Sequence, residues 1–423
     1  MPVEENTSTS SDARVLMFSQ RNLNSLMYQC FIYEFEDVVR EVDRVDMLAP
    51  DSRYRGEAGQ LAHRVNNVAR KSVGLLPLGD IRPVEIERDY DLFFAVLQFP
   101  YQAIYLNQLK GWRKRCRKTA CFLAESWTTM LTSSREYYLL LANIDYIFTH
   151  SEVSAAAVSK LLGKRCYFLP FAVDAVKFCP SPIFPDRSID VLAVGRHSSH
   201  VHDALLRMSA EQGLFYHFDT AQPFRVKDYR QHRTMLAQLF QRSRFSLTYK
   251  HNVDMTSLTG GDEALAPRYF EAAAAGSVLL GIPPDCDEYE ACFDWEDAVI
   301  DFPFKSGDVQ AILSGLDAQP QRLAAARIHN IAHSLTRHDW AHRWATVLGT
   351  AGLSPQPALH QRLDAMTSLA VSIRAGATGN GLNEKDTYAL PTHHHHASQD
   401  SGVEALPALR VRSEVQELRA HNC

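Results

Sequence analysis

The sequence predicts two tandem α/β domains, each built on a parallel sheet. Three observations predict it. Short continuous apolar runs of strand length recur along the chain, 92–97 being the clearest; strands covered by helices on both faces read this way rather than alternating. Helical patterns lie between these runs, and an alternation of strand and helix implies a parallel sheet. Finally, Pro180, Pro182 and Pro185 interrupt the rhythm before it restarts, as an interdomain connection does.

The elements follow in order. Residues 1–12 are polar and expected to be disordered. A first domain over 13–175 takes strands at 14–18, 45–48, 92–97, 119–123, 146–149 and 167–170, with a helix over 26–40. A second domain over 176–350 takes strands at 189–195, 245–249 and 277–282. Helices fall at 201–210, 229–241, 267–275 and 309–316, and a long helical stretch runs over 322–348. Gly, Ser, Thr, Asn, Pro and His dominate 351–423, so this tail is expected to be mostly disordered, with one helix near 403–420.

Composition narrows the function classes. A net charge of -5 over 423 residues leaves no whole-chain footprint for nucleic acid or an anionic membrane. The local basic run Arg113, Lys114, Arg115, Arg117 and Lys118 is the one candidate for peripheral membrane attachment. No run reaches the ~18 apolar residues of a membrane span, and the first residues lack the basic start and apolar core of a secretory signal. The 8 cysteines form no Cys-x-x-Cys pair, so reduced thiols in a cytoplasmic chain are expected.

The most informative segment is 258–276, with Gly260, Gly261, Glu263, Pro267, Arg268, Tyr269, Glu271 and Gly276. The two glycines make a loop whose backbone can approach a ligand closely. Pro267 suits a first helical turn, and Ala266 before it has no capping side chain. The free amides of such a helix start form an anion site, and Arg268 beside them adds a charge-assisted bond to phosphate. Glu263 lies in the loop and Glu271 one turn into the helix. Carboxylates hold sugar hydroxyls, so the block offers anion donors between two acceptors, the order of chemistry in a nucleotide-sugar.

These residues resemble the donor-site signature of group 1 glycosyltransferases, two glutamates separated by seven residues, and are most similar to the spore-maturation-type subgroup. The resemblance continues through the apolar strand after Gly276, through 288–293 and 298–301, and to His342-Arg343-Trp344. It also takes in 167–174 with Phe178, and Val194-Gly195-Arg196; it covers about 145–350 and is weak before that. It implies the GT-B fold, in which two Rossmann-like domains with parallel sheets face a cleft and the last helix crosses back onto the first domain. The N-terminal domain would then hold the acceptor. By resemblance Glu271 binds the ribose, Glu263 lies near the donor sugar, Arg196 neutralises diphosphate, and Gly195, Gly260, Gly261, Arg268 and Tyr269 belong to the donor site. The implied reaction transfers sugar from a nucleotide-sugar to a saccharide, lipid-linked or protein acceptor, and the large relatives retain anomeric configuration. No cofactor or dedicated metal is implied, because arginine and helix amides stabilise a leaving diphosphate. One departure stands out: the family often has a lysine five residues after the arginine, and here that position is Val201, between His200 and His202.

Other candidates carry bland readings beside the sharp ones. Glu263, Arg196 and Arg268 also fit ordinary ion pairs. His150, after an apolar strand, is a candidate for the cleft or a satisfied core histidine. Asn22 and Asn24 follow the first strand. Asp285-Cys286-Asp287 reads as a solvated turn, His393–His396 as part of the polar tail, and His329, His333, His338 and His342 as helix surface rather than a metal site. Two rival functions remain. One is a nucleotide-sugar epimerase or hydrolase using His150 with Glu125; the other is a catalytically degenerate GT-B-like binding or structural protein.

Overall fold

The chain was analysed as a computed structural model that describes residues 12–379 apart from 55, 73–74, 78, 220–223 and 306–307. In the first half, the apolar runs form β1 (Val15–Phe18), β2 (Val45–Leu48), β4 (Tyr90–Leu97), β6 (Cys116–Leu123), β7 (Tyr146–Thr149) and β8 (Cys166–Phe168). They pair in the order β2-β1-β4-β6-β7-β8, all parallel. Two short strands absent from the sequence expectation, β3 (Val84–Glu85) and β5 (Leu109–Lys110), pair beside this sheet. The second half repeats the plan with β9 (Ile189–Ala193), β10 (Tyr216–Phe218), β11 (Ser243–Leu247), β12 (Val278–Gly281) and β13 (Ile300–Asp301), in the parallel order β10-β9-β11-β12-β13. This is the α/β, GT-B layout implied by the resemblance.

The register shows why the strands read as unbroken apolar runs. Phe94 lies between Met17 and Ala120. Leu92, Phe94 and Val96 of β4 enter one buried cluster, while Phe93, Ala95 and Leu97 enter another on the opposite face. Successive side chains of a strand point to opposite faces, so a sheet covered on both needs apolar residues at every position.

Helices from the second half close over the first. Phe35 of the helix Cys30–Val42 stacks on Trp340 at 4.6 Å, and Phe94 meets Trp344 edge-on at 5.3 Å. Both tryptophans belong to the helix Trp340–Ala351, which therefore crosses back onto the first sheet. The long stretch expected over 322–348 is two helices, because Asp339 caps the second by accepting from the Ala341 amide at 2.8 Å.

The tail expectation needs correction over 357–379. Residues Pro357–Gly379 form a helix, with Leu359, Met366, Ala370 and Ile373 buried along one stripe. That spacing is helical, but four apolar residues among many small polar ones did not stand out. Arg362 anchors this helix with hydrogen bonds to Asp174 and Asp339, each 2.8 Å. The expectations for residues 1–11, for the helix near 403–420 and for His393–His396 lie outside the described residues.

Candidate functional site

In doubly wound sheets, ligand sites form beyond the carboxyl ends of the strands, where the strand order reverses. Here the order reverses at β1/β4 and at β9/β11. Ser19 and Gln20 follow β1, Gln98 follows β4, Gly195 and Arg196 follow β9, and Lys250 and His251 follow β11. The two halves touch here. Glu125, just beyond β6, accepts from Asn252 Nδ2 at 2.9 Å, and Asp262 accepts from the amide and hydroxyl of Thr128 at 2.9 and 2.7 Å.

The donor side is built on the helix Pro267–Ala274. Pro267 occupies its first turn and Ala266 provides no side-chain cap, as the sequence implied. Arg268 folds back over Gly195, which takes a left-handed backbone (φ +77°) and leaves room that a β-carbon would fill; that carbon would collide with Nη2 of Arg268. The guanidinium Nε is buried and finds no hydrogen-bond partner among the described residues. Burial lowers the pKa of Arg268, while Glu271 and then Asp219 pull it up from nearby. A desolvated cation lacking a contacting carboxylate is costly by itself, and an anion settling beside it removes that cost.

Arg196 extends from the same turn to Asp254, with Nη1 at 2.8 and 2.9 Å from the two carboxylate oxygens. Glu263 is ion-paired with Lys250, and its other oxygen accepts from the Asp285 amide at 2.8 Å. The Asp285-Cys286-Asp287 segment thus leads into the helix Asp287–Cys292 as a turn. Glu271 lies one turn into its helix, but its Oε1 is engaged by Arg233, whose Nε and Nη2 hold both oxygens of Glu34 at 2.9 and 3.0 Å. Glu34, Arg233 and Glu271 are all buried. The second carboxylate of the motif is therefore tied through Arg233 to the first half.

Three expectations change. Gly260 is no open ligand loop: a β-carbon there would stand 2.6 Å from Thr129 Cγ2, so its smallness serves the contact between halves, while Gly261 faces open space. Tyr269 is fully buried and its hydroxyl donates to the Ile282 and Thr248 carbonyls at 3.1 and 3.4 Å, bracing the strand ends rather than facing a donor. His150 is buried between the rings of Trp127 (4.9 Å), Phe171 (5.6 Å) and His251 (5.9 Å). Burial, with His251 adding to it, pushes its pKa down to about 3. It is neutral at ordinary pH and contacts neither Glu263 nor Arg196 through a hydrogen bond.

The remaining candidates are engaged structurally. Asn22 donates to the Ala49 carbonyl at 2.8 Å and Asn24 to Gln20 at 3.3 Å. His338 is buried, not surface, with Nε2 at 2.8 Å from the Cys292 carbonyl. His342 bonds the Leu335 carbonyl at 3.2 Å, and His333 stacks on Trp295 at 4.4 Å. Among the described residues no group of three or more His, Cys, Asp or Glu is placed to hold a metal. In the basic run, Arg115 and Arg117 pair with Asp89 and Asp91, and Arg113 lies over Trp112. Val201 is fully buried, so no lysine could occupy that position without burying its charge. No helix among the described residues is long and apolar enough to cross a membrane.

The segment after β11 carries what the sequence reading missed. Lys250 meets Glu263, Asn252 meets Glu125, and Asp254 meets Arg196. Burial, then the charges of Arg268 and Arg196, lower the pKa of His251 to about 3. Asn252 takes a left-handed φ of 53°, which asparagine tolerates better than most residues. The signal was present: a polar Lys-His-Asn-x-Asp run directly after an apolar strand.

Residues 209–349 match the family model described as glycosyl transferase-like. That span holds Gly260, Gly261, Glu263, Arg268, Tyr269 and Glu271 but neither Arg196 nor His150. No curated protein matches the chain by sequence. Among solved structures, HepE of Anabaena in complex with UDP-glucose is similar at 13% identity, covering 80% of this chain and 99% of that chain with a TM-score of 0.45. A UDP-forming α,α-trehalose-phosphate synthase from Burkholderia vietnamiensis is similar at 16% identity, covering 80% and 83% with a TM-score of 0.41. An α-glucosyltransferase in complex with UDP-glucose and DNA containing an abasic site is similar at 11% identity, covering 80% and 99% with a TM-score of 0.48.

Proposed function

We propose that the protein is a nucleotide-sugar-dependent glycosyltransferase, related to the spore-maturation-type subgroup, that transfers a sugar to a saccharide, lipid-linked or protein acceptor, with retention as the resemblance implies. The second half binds the donor and the first half the acceptor. The observation that carries the reading is Arg268: a desolvated guanidinium with a free Nε, held over Gly195 at an uncapped helix start beyond the strand ends. That arrangement suits a diphosphate, whose charge grows as the sugar departs, and stabilising it is then the main catalytic effect.

Arg196 and Lys250 are the second and third cations of this site, and Lys250 takes the place of the lysine missing at Val201. Both are held by exposed or half-buried carboxylates, Asp254 and Glu263, which an incoming diphosphate can displace at small cost. Glu271 receives the ribose hydroxyls while Arg233 holds its Oε1. We propose no resident metal or other cofactor, no nucleic-acid partner and a cytoplasmic location, at most peripheral to a membrane.

Calorimetric titration with UDP, GDP, ADP and dTDP tests the reading on wild type and on Arg268→Met. Saturable binding of one nucleotide, weakened at least about tenfold in the variant, is expected for the loss of a charge-assisted bond. A folded wild type that binds none of the four sinks the proposal and favours the degenerate binding protein. Hydrolysis of the bound donor without transfer to any acceptor favours the hydrolase. NMR of the product anomer reports retention.

A further inference from the structure

Five of the six buried carboxylates among the described residues of the first half pair with a basic side chain, Asp174 with Lys177 and Arg362 among them. Asp43 pairs with Arg14, Asp46 with Arg88, Glu36 with Arg21, and Glu34 with Arg233 and Lys177. Glu125 is the exception. It is 7% exposed and is held by neutral donors alone: Trp127 Nε1 and Asn252 Nδ2 on Oε1 at 3.1 and 2.9 Å, and Gln98 Nε2 on Oε2 at 3.2 Å. A carboxylate has about four acceptor positions, so Oε2 keeps one open. Burying a carboxylate without a cation is costly.

Its surroundings are mainly carboxamide and aromatic, with Arg225, hydrogen-bonded to Ser25, acting on Tyr28 from nearby. The backbone pairing of β4 and β6 continues one step past the strands, with the Glu125 amide on the Gln98 carbonyl at 2.8 Å, which puts the two side chains abreast. Gln98 Oε1 and Gln102 Nε2, on side chains almost fully buried, have no hydrogen-bond partner among the described residues. Beside them runs an aromatic wall, with Tyr28 edge-on to Phe99 at 6.2 Å and Phe99 stacked on Tyr101 at 5.5 Å. Tyr101, at the end of this wall, is 49% exposed. Arg21, the cation next to the end of β1, is occupied by Glu36 and Asp37.

Resting on the transferase reading above, we infer that this cluster beyond the ends of β4 and β6 is the acceptor subsite and that it takes an uncharged saccharide, with a sugar hydroxyl on Glu125 Oε2 and the ring against Tyr101. Carboxylate and carboxamides suit the hydroxyls, and aromatic rings suit the apolar face of a pyranose. Because Asn252 belongs to the donor half, the acceptor carboxylate is held by the same segment that carries Lys250 and Asp254. Acceptor and donor positions are thereby coupled through one loop.

The test runs in order. The nucleotide that binds in calorimetry defines the donor, and that donor is then offered with methyl hexosides and maltose, with polyprenyl phosphate in phosphatidylcholine vesicles, and with a Ser/Thr-rich peptide. Transfer to the free saccharides is expected. Glu125→Gln is expected to leave nucleotide affinity and melting temperature near wild type and to lower kcat/KM for the saccharide by about tenfold to a hundredfold, the loss of one charge-assisted hydrogen bond. Tyr101→Ala, at a half-exposed site that the fold does not need, is expected to raise the saccharide KM about tenfold with kcat little changed. Transfer only to the lipid phosphate or the peptide overturns the inference while leaving the transferase reading intact, as does saccharide transfer insensitive to both variants. Absence of any nucleotide binding overturns the transferase reading itself, and the subsite with it.

Discussion

Arg268 lies so close over Gly195 that a β-carbon on the glycine would stand 3.2 Å from its Cζ and run into Nη2. The turn after β9 and the helix start after the glycine pair are thus one unit, although 73 residues separate them in the chain. Gly195→Ala is expected to strain the left-handed backbone by about 1–2 kcal/mol and to push the guanidinium off its place. Nucleotide affinity should fall at least about tenfold, equivalent to about 1.4 kcal/mol. Calorimetry and thermal melting together check it; a loss of stability with unchanged affinity would detach Arg268 from the donor site.

Arg233 between Glu34 and Glu271 predicts a large stability effect. Arg233→Met leaves buried Glu271 without a cation and Glu34 with Lys177 alone, expected to cost about 3–5 kcal/mol, whereas Glu34→Gln with Arg233 retained should cost less. Urea unfolding measures both. A loss below about 1 kcal/mol for Arg233→Met would show that the cluster is not closed in solution.

The same cluster sets an acid limit. Burial alone would raise the pKa of Glu34, but the charge and hydrogen bonds of Arg233, then Lys177 and the Asp174 amide, hold it below its ordinary 4.5. A carboxylate with a depressed folded pKa stabilises the protein above the unfolded value and loses that contribution as pH falls below it. Stability should therefore drop from about pH 4.5 downward, and Glu34→Gln should flatten that part of the curve.

His150 and His251 act at higher pH. Both are pushed down to about 3, chiefly by burial. Between about 3 and the ordinary 6.5, the unfolded chain binds protons that the folded chain does not, so stability rises with pH across that window. Chemical denaturation from pH 7 to pH 5 should show this slope, and His251→Gln should reduce it. An unchanged slope would mean the ring is solvated.

Arg362 predicts that the helix Pro357–Gly379 belongs to the fold. Its guanidinium holds Asp174 and Asp339, and Asp339 caps the helix Trp340–Ala351. Arg362→Ala should cost about 2–3 kcal/mol, since the buried Asp339 loses its cation. Thermal melting checks it; a neutral result would mean that the helix Pro357–Gly379 is not docked.

Much of this was legible without coordinates. The helix expected over 229–241 is Tyr229–Gln241, and that expected over 267–275 is Pro267–Ala274, because amphipathic period and the Pro267 start signal are local. The helix Pro357–Gly379 was not legible, since its stripe of four apolar residues is meaningful only against the helices that cover it.

By itself the sequence determined most strands of the two parallel sheets and the uncapped helix start with Arg268 beside it. All of these rest on hydrophobic period and on neighbours within a few residues. Only the tertiary structure decided which groups the site shares: that Glu271 is bound by Arg233, that Gly260 packs on Thr129, that Tyr269 turns inward, and that Glu125 is held by Asn252. The physical reason is that a charge or hydroxyl takes the nearest partner that folding supplies. Those partners lie 38 to 131 residues away for Glu271, Gly260 and Glu125, a distance across which local pattern carries no information.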